Sequence, residues 1–369
     1  MNILINCSNL KVGGGLQVAD SVCTYLNTFP QHSFTVVLSS KLDDTFERIK
    51  SYSNVDIVRH DINNSWRTLL FGRDRILDGL VDSKNIDCVL TIFGPSRWIP
   101  KIRHISGFAR AHLVLPNSPY FKYMGRKQRL KSSIMNGILN VAFRRATKHY
   151  FTENPYISDL LAKKWPGYTI DTVTNYYNQV FDDPEKWEKH LLPSFDGVSI
   201  LCISVNYPHK NLKISIDAAR YLRENYPDFK FRFVFTVTPE QFPVPDDIKD
   251  NFELIGKVNI NECPLLYSQS DISFQPTLLE CFTATYPESM KMEIPIITTD
   301  LDFAHGLCGD AAVYYSPLSA TEAAEAIYRV ATDSALRKKL IVAGKEKLKE
   351  FDRAKERAEK LIALCEESN

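Results

Sequence analysis

Short, nearly continuous apolar runs alternate with longer stretches of helical periodicity along the whole chain. The runs Asn2–Cys7 (NILINC) and Val198–Val205 (VSILCISV) each open one half, and both predict strands buried on two faces of a parallel sheet. In the first half, Phe34–Leu38, Val55–Val58, Cys88–Phe93 and Ile102–Phe108 predict further strands, with a helical pattern over Leu16–Leu26. In the second, helical Leu212–Leu222 precedes predicted strands at Phe231–Val237, Phe252–Ile255, Ile272–Gln275 and Ile294–Thr298. Helical patterns over Ala320–Asp333 and from Ser334 to about Ser368 close the chain. The alternation predicts an α/β protein with two domains, each on its own parallel sheet. A polar, proline-interrupted stretch near 181–197 marks the break, giving domains at 1–183 and 184–355 and a last helix at 356–369 returning to the first. Ligands of such sheets bind at the carboxyl ends of the strands, so a cleft between the domains is the expected site.

Composition is that of a globular protein, with 44% hydrophobic and 24% charged residues among 369. The start, MNILINCSNLKVGGG, lacks the basic and apolar regions of a secretory signal. No stretch approaches the roughly 18 apolar residues of a membrane helix. The eight cysteines have no close pair at metal or redox spacing. A reduced, cytoplasmic setting is the expectation. Charge adds more. The net +1 hides 23 Lys/Arg against 13 Asp/Glu in residues 1–180, and 22 against 31 in the remainder. Between Cys88 and Thr152 there are twelve Lys/Arg and no acid. Such a patch attracts phosphates or anionic lipid. No aromatic-interleaved motif accompanies it, so nucleic acid is not an expected partner.

The segment Asp271–Thr299, DISFQPTLLECFTATYPESMKMEIPIITT, carries the most chemistry. A strand ends in a proline turn, and Glu280 follows in a loop. Thr283-Ala284-Thr285 leads to Pro287 and Glu288 in the first turn of a helix. Backbone N–H groups at that start suit a diphosphate, and the flanking carboxylates can accept hydrogen bonds from sugar hydroxyls. Alternatively Glu288 only steadies the helix terminus, and Glu280 is a solvated loop residue.

Glu280-x7-Glu288, between these strands, resembles the E-x7-E signature of family 4 retaining glycosyltransferases, of group 1 type. Gly309-Asp310-Ala311-Ala312-Val313 with Pro317, Pro208-His209-Lys210-Asn211-Leu212, and Leu254-Ile255-Gly256-Lys257-Val258 before Tyr267 resemble further segments of that family, as does Val12-Gly13-Gly14-Gly15. The resemblance implies a GT-B fold, two Rossmann-like parallel-sheet domains facing a central cleft. It implies metal-independent sugar transfer from a nucleoside-diphosphate sugar, with retention and no cofactor. Carried over, Glu288 would bind the ribose and Glu280 the donor sugar. Phe282, Thr283, Ala284 and Thr285 would hold sugar and diphosphate through their amides, with Lys257 nearby. Lys210 would neutralise the leaving diphosphate. The arginine that many relatives carry a few residues before this lysine is missing from Ser204–Tyr207. That departure leaves room for a catalytically impaired nucleotide-sugar-binding or scaffold protein.

In the first domain, Gly14 and Gly15 would let the backbone approach donor or acceptor closely. A dinucleotide reading fails, because Val18 stands where G-x-G-x-x-G needs its last glycine. Relatives also place a histidine at the transfer point, and His112 is preferred here over His104. The basic stretch Tyr120–Tyr150 patterns as an amphipathic helix, suited either to an anionic membrane surface or to the domain core. The implied acceptor is a glycan or polyprenyl-linked sugar. By analogy, the setting is bacterial capsule or O-antigen assembly at the inner face of the cell membrane.

Overall fold

A computed structural model describes residues 1–11, 13–62, 68 and 71–367. Val12, quoted above with the glycine loop, lies outside them. The chain divides into two compact units. Unit 1 comprises the described residues of Met1–Val114, Arg126–Asn175 and Asp352–Asn369, and unit 2 comprises Leu115–Gly125 and Tyr176–Phe351.

Unit 1 is built on seven parallel strands: β1 (Asn2–Cys7), β2 (Ser33–Leu38), β3 (Val55–Arg59), β4 (Cys88–Thr91), β5 (Arg103–Gly107), β6 (His149–Thr152) and β7 (Thr169–Thr172). Their order is β3-β2-β1-β4-β5-β6-β7. In β1, Ile3, Ile5 and Cys7 pack with Val18, Ala19 and Val22 of the helix Gly14–Cys23 and with Leu361, Ile362 and Cys365 of the helix Ala354–Glu366. Leu4, pointing the other way, packs with Val37, Leu77, Val89 and Trp98. Two buried faces explain the unbroken apolar run. Each fully buried aliphatic side chain contributes about 1.5–3 kcal/mol, so the last helix is a full part of this unit's core. Gly107 permits the close approach of β5 to its neighbour, since a Cβ there would stand 2.0 Å from the Ile92 carbonyl oxygen.

Unit 2 has six parallel strands: β8 (Val198–Cys202), β9 (Phe231–Phe235), β10 (Phe252–Leu254), β11 (Ile272–Gln275), β12 (Ile296–Thr299) and β13 (Ala312–Tyr315), ordered β10-β9-β8-β11-β12-β13. Ile200, Phe233 and Phe274 pack with Ala218 and Leu222 of the helix Ile214–Asn225 and with Ala323 and Ile327 of the helix Ala320–Thr332. In both sheets the first strand lies inside and the order reverses beside it, the doubly wound pattern. Each unit is Rossmann-like.

The basic stretch forms one helix, Arg126–Ala146, in unit 1. Its inner face is formed by buried Phe143 and Ala146 with half-buried Ser132, Asn136, Leu139 and Asn140. Leu130, Ile134, Ile138 and Val141 are 64%, 58%, 58% and 55% exposed. At 3.6 residues per turn these four share an arc of about 80° opposite the buried face. The apolar stripe is therefore outside the domain core, with polar residues occupying half of the inner side. Among the described residues no helix is long and apolar enough to cross a membrane.

Candidate active site

The loop after β8 and the loop after β11 meet in unit 2. Pro208 starts a short 3-10 turn, Pro208–Lys210, with its φ preset. Asn211 then adopts the left-handed region at φ 50°, where Asn is tolerated better than most residues, before the helix Ile214–Asn225 begins. The Asn211 Nδ2 donates to the Pro317 carbonyl at 3.4 Å, so two of the family-like segments touch. The Leu278 N–H donates to the His209 carbonyl at 2.7 Å and fastens the loop after β11 to this turn.

Lys210 and Glu280 are thereby brought together. Lys210 Nζ lies 2.6 Å from Glu280 Oε1, with side chains 18% and 15% exposed. Thr277 Oγ1 donates to the same oxygen at 3.1 Å, and His209 Nε2 stands 3.7 Å from it. Glu280 is thus no solvated loop residue. It is largely enclosed, and Lys210, Thr277 and His209 converge on one of its carboxylate oxygens.

Glu288 lies in the first turn of the helix Thr285–Lys291, as its spacing predicts. Its side chain is buried, and Glu288 Oε2 accepts from the Tyr267 hydroxyl at 2.9 Å. Burial pushes this carboxyl up to about 7, and the Tyr267 hydrogen bond draws it partly back. Ser289 Oγ donates to the Thr285 carbonyl at 2.6 Å and shares a hydrogen bond of 2.7 Å with Ser273 Oγ, holding the helix on β11. Thr283 and Thr285 share a hydrogen bond of 2.9 Å between their hydroxyls. Phe282 packs edge-on against Phe351 at 6.2 Å, and Ala284 is half-buried. Lys257, exposed, follows Gly256, whose φ of 73° turns the chain after β10.

The remaining candidates sit in unit 1. Gly14 and Gly15 begin the helix Gly14–Cys23, after Gly13 at φ 77°. Nothing lies within 4 Å of a Cβ on Gly14, whereas one on Gly15 would meet Leu10 at 3.3 Å. His112 lies in the short helix Ala111–Val114, its carbonyl accepting from Asn136 Nδ2 at 3.3 Å. His104, the alternative, is buried between Thr91 Oγ1 and the Ala146 carbonyl, both at 2.9 Å, and burial holds its pKa down at about 4. It is part of the core.

Two neighbours of the Lys210–Glu280 pair, and one residue that fastens the loop after β11, were not among the sequence candidates. Thr277 and His209 are adjacent to motif residues and carry no separate pattern. Ser118 comes from a segment far upstream, and its Oγ donates to the Leu278 carbonyl at 2.6 Å. No local signal in the sequence reports that contact.

The chain is similar to several known proteins. Residues 183–347 match the family model described as glycosyl transferases group 1. An O-antigen chain mannosyltransferase, RfbU, of Salmonella typhimurium is 25% identical over 186 residues, 49% of this chain and 50% of that protein. The matched part thus spans about half the length of that relative. A glycosyltransferase structure from Rickettsia africae superposes with a TM-score of 0.71 at 15% identity, covering 99% of this chain and 97% of that one. WaaG, a glycosyltransferase involved in lipopolysaccharide biosynthesis, superposes at 0.67 with 13% identity over 100% of both chains. These likenesses show the fold to be GT-B, and residues 183–347 of this chain are similar to the group 1 glycosyl transferases.

Proposed function

We propose that the chain transfers a sugar, with retention, from a nucleoside-diphosphate sugar to a glycan or polyprenyl-linked acceptor in O-antigen or capsule assembly, in the cytoplasm. The observation that carries this is the Lys210–Glu280 pair at 2.6 Å. A diphosphate can take the ammonium, a sugar hydroxyl can take the carboxylate, and each half of the pair thereby finds a new partner. Lys210 then offsets the charge that grows on the leaving nucleoside diphosphate, a role that asks for neither metal nor cofactor. Glu288, oriented by Tyr267, is the acceptor for ribose hydroxyls. Melting scans with UDP-, GDP-, ADP- and CMP-sugars test the reading. A ligand at about 100 times its Kd adds roughly 2.7 kcal/mol, expected for one nucleotide with the wild type and lost in Glu288→Ala. A flat response to every nucleotide would remove this function. Binding without transfer to any acceptor would leave an impaired, donor-binding protein.

A second observation bears on where the enzyme works. The outward stripe Leu130, Ile134, Ile138 and Val141 is accompanied on the same helix by Arg126, Lys127, Arg129, Lys131, Arg144 and Arg145. Apolar side chains facing out among cations fit an anionic lipid surface, which would bring the enzyme to a lipid-linked acceptor. Sedimentation with phosphatidylglycerol vesicles is expected for the wild type and strongly reduced for Leu130→Ser/Ile134→Ser. Equal sedimentation of both would sink the membrane assignment.

A further inference from the structure

His209 is the second basic group beside Glu280, and it is held more firmly than a bystander needs to be. Its ring stacks on Tyr207 at 5.6 Å and 19°, and meets Tyr120 edge-on at 6.0 Å and 89°. Its carbonyl accepts from the Leu278 N–H at 2.7 Å. The Ser118–Leu278 hydrogen bond of 2.6 Å ties the Tyr120 segment to the same loop. The titratable or charged groups that face the ring include Glu280, Lys210, Tyr120 and Tyr207. Nε2 is 3.7 Å from Glu280 Oε1, beyond a hydrogen bond but well within electrostatic reach. Burial lowers the imidazole pKa, Glu280 opposes that, and Lys210 adds to it. With Lys210 seated on the carboxylate, the ring is neutral near pH 7.

Resting on the transferase reading above, we propose that His209 is a positioning residue that takes up a proton when the nucleoside-diphosphate sugar binds, replacing Lys210 as the cation beside Glu280. A single ammonium charge shared between Glu280 and an incoming diphosphate cannot balance both, although its three N–H donors can reach both. As the diphosphate draws Lys210, Glu280 loses its counter-charge and about two further negative charges arrive. Both changes favour the imidazolium. The proton comes from solvent, rests on an imidazole nitrogen and returns to solvent when the nucleoside diphosphate leaves. No other bond changes. This accounts for the departure at Ser204–Tyr207, where an arginine is expected and Tyr207 instead stacks on His209. A permanent cation there is replaced by one that exists only in the liganded site, and it keeps Glu280 oriented toward the sugar.

Titration calorimetry of the full chain tests this. UDP-glucose, UDP-galactose and GDP-mannose would be titrated at about pH 7.5 in buffers of different ionisation enthalpy. Their diphosphate diesters carry no proton that titrates near neutrality, so the count reports the protein. For a donor that binds, the expected result is uptake of about half to one proton by the wild type and close to none by His209→Asn. Affinity of the wild type should rise as pH falls toward about 6, by up to tenfold per unit, and that slope should vanish in the variant. A purely structural histidine would lower affinity without changing the proton count. Donor binding with no proton uptake, or with equal uptake in both proteins, overturns the proposal and leaves the transferase reading intact. Failure of all three donors, and of an ADP-sugar as well, to bind the wild type overturns both.

Discussion

Each unit contains a cluster of ionic and polar side chains around a glutamate, and the two clusters are built differently. In unit 1, Arg357 is 3% exposed and Glu153 is 6% exposed. The Arg357 guanidinium donates to Asn175 Oδ1 and Ser21 Oγ. Asp352 accepts from the Thr174 N–H at 2.9 Å and from Lys360 at 2.6 Å, and its own N–H donates to Thr174 Oγ1 at 2.6 Å. Each bond ties a different stretch of chain, so the cluster fastens the segment after β7 and the last helix to unit 1. In unit 2, Lys210, Thr277 and His209 converge on one oxygen of Glu280, and the pair keeps 18% and 15% of its side-chain surface open. Dispersed bonds at full burial make a fastener. Convergent bonds at partial burial leave partners that a ligand can exchange. The first cluster should govern stability and the second activity.

The largest effect is expected at the fastener. Arg357→Met removes the guanidinium from Asn175 Oδ1 and Ser21 Oγ, and each buried polar group left without its partner costs about 1–3 kcal/mol. Urea unfolding should show that loss, with donor affinity of the folded protein little changed. A variant that keeps its stability and loses donor binding would erase the distinction between the clusters. Next is Lys210→Ala. Transfer should fall by about 10²–10³-fold, the scale for removing one stabiliser of developing charge. Stability should fall by less than in Arg357→Met, because Glu280 keeps the Thr277 hydroxyl and retains some contact with solvent. A loss matching that of Arg357→Met would make Lys210 a structural residue.

The smallest effect is set by pH and reaches both units. Burial raises Glu288 from 4.5 to about 7, and it raises Glu153 from 4.5 to about 7 against the opposing pull of Arg357. A carboxyl whose folded pKa is raised stabilises the fold fully below its unfolded value. That contribution disappears as pH rises through about 7. The ceiling for each is roughly 3 kcal/mol. Without nucleotide, the melting temperature should therefore fall from about pH 5 to pH 8, and Glu288→Gln and Glu153→Gln should each remove part of the slope. An unaltered slope in both variants would show that neither carboxyl is held protonated.

Much of the fold was legible because strands buried on both faces write themselves as apolar runs. The runs at Asn2–Cys7, Phe34–Leu38 and Phe231–Val237 coincide with β1, β2 and β9 to within one or two residues. The strands β6 (HYFT), β7 (TIDT) and β13 (AVYY) escaped; β6 and β7 mix polar with apolar residues, and β7 is a sheet edge with no fully buried position. The single helical stretch read from Ser334 to about Ser368 is two helices, Ser334–Leu348 and Ala354–Glu366. No glycine or proline marks the interruption. It is stabilised by the Thr174–Asp352 hydrogen bonds and by the Arg353 N–H on Glu356, at 2.9 Å. The periodicity of residues 126–146 likewise showed an apolar stripe and was silent on which way it faces.

By itself the sequence determined the two parallel-sheet halves, the family-like segments and the placement of Glu288 in a helix's first turn, because each depends on residues near one another in the chain. Only the tertiary structure decided that Lys210 meets Glu280, that Tyr267 holds Glu288, that His209 lies beside both members of the ion pair, and that the basic helix turns its apolar stripe outward. Those outcomes depend on which loops the sheet brings to its carboxyl edge and which helix face meets the sheet. Long-range packing sets both, and no local spacing encodes it.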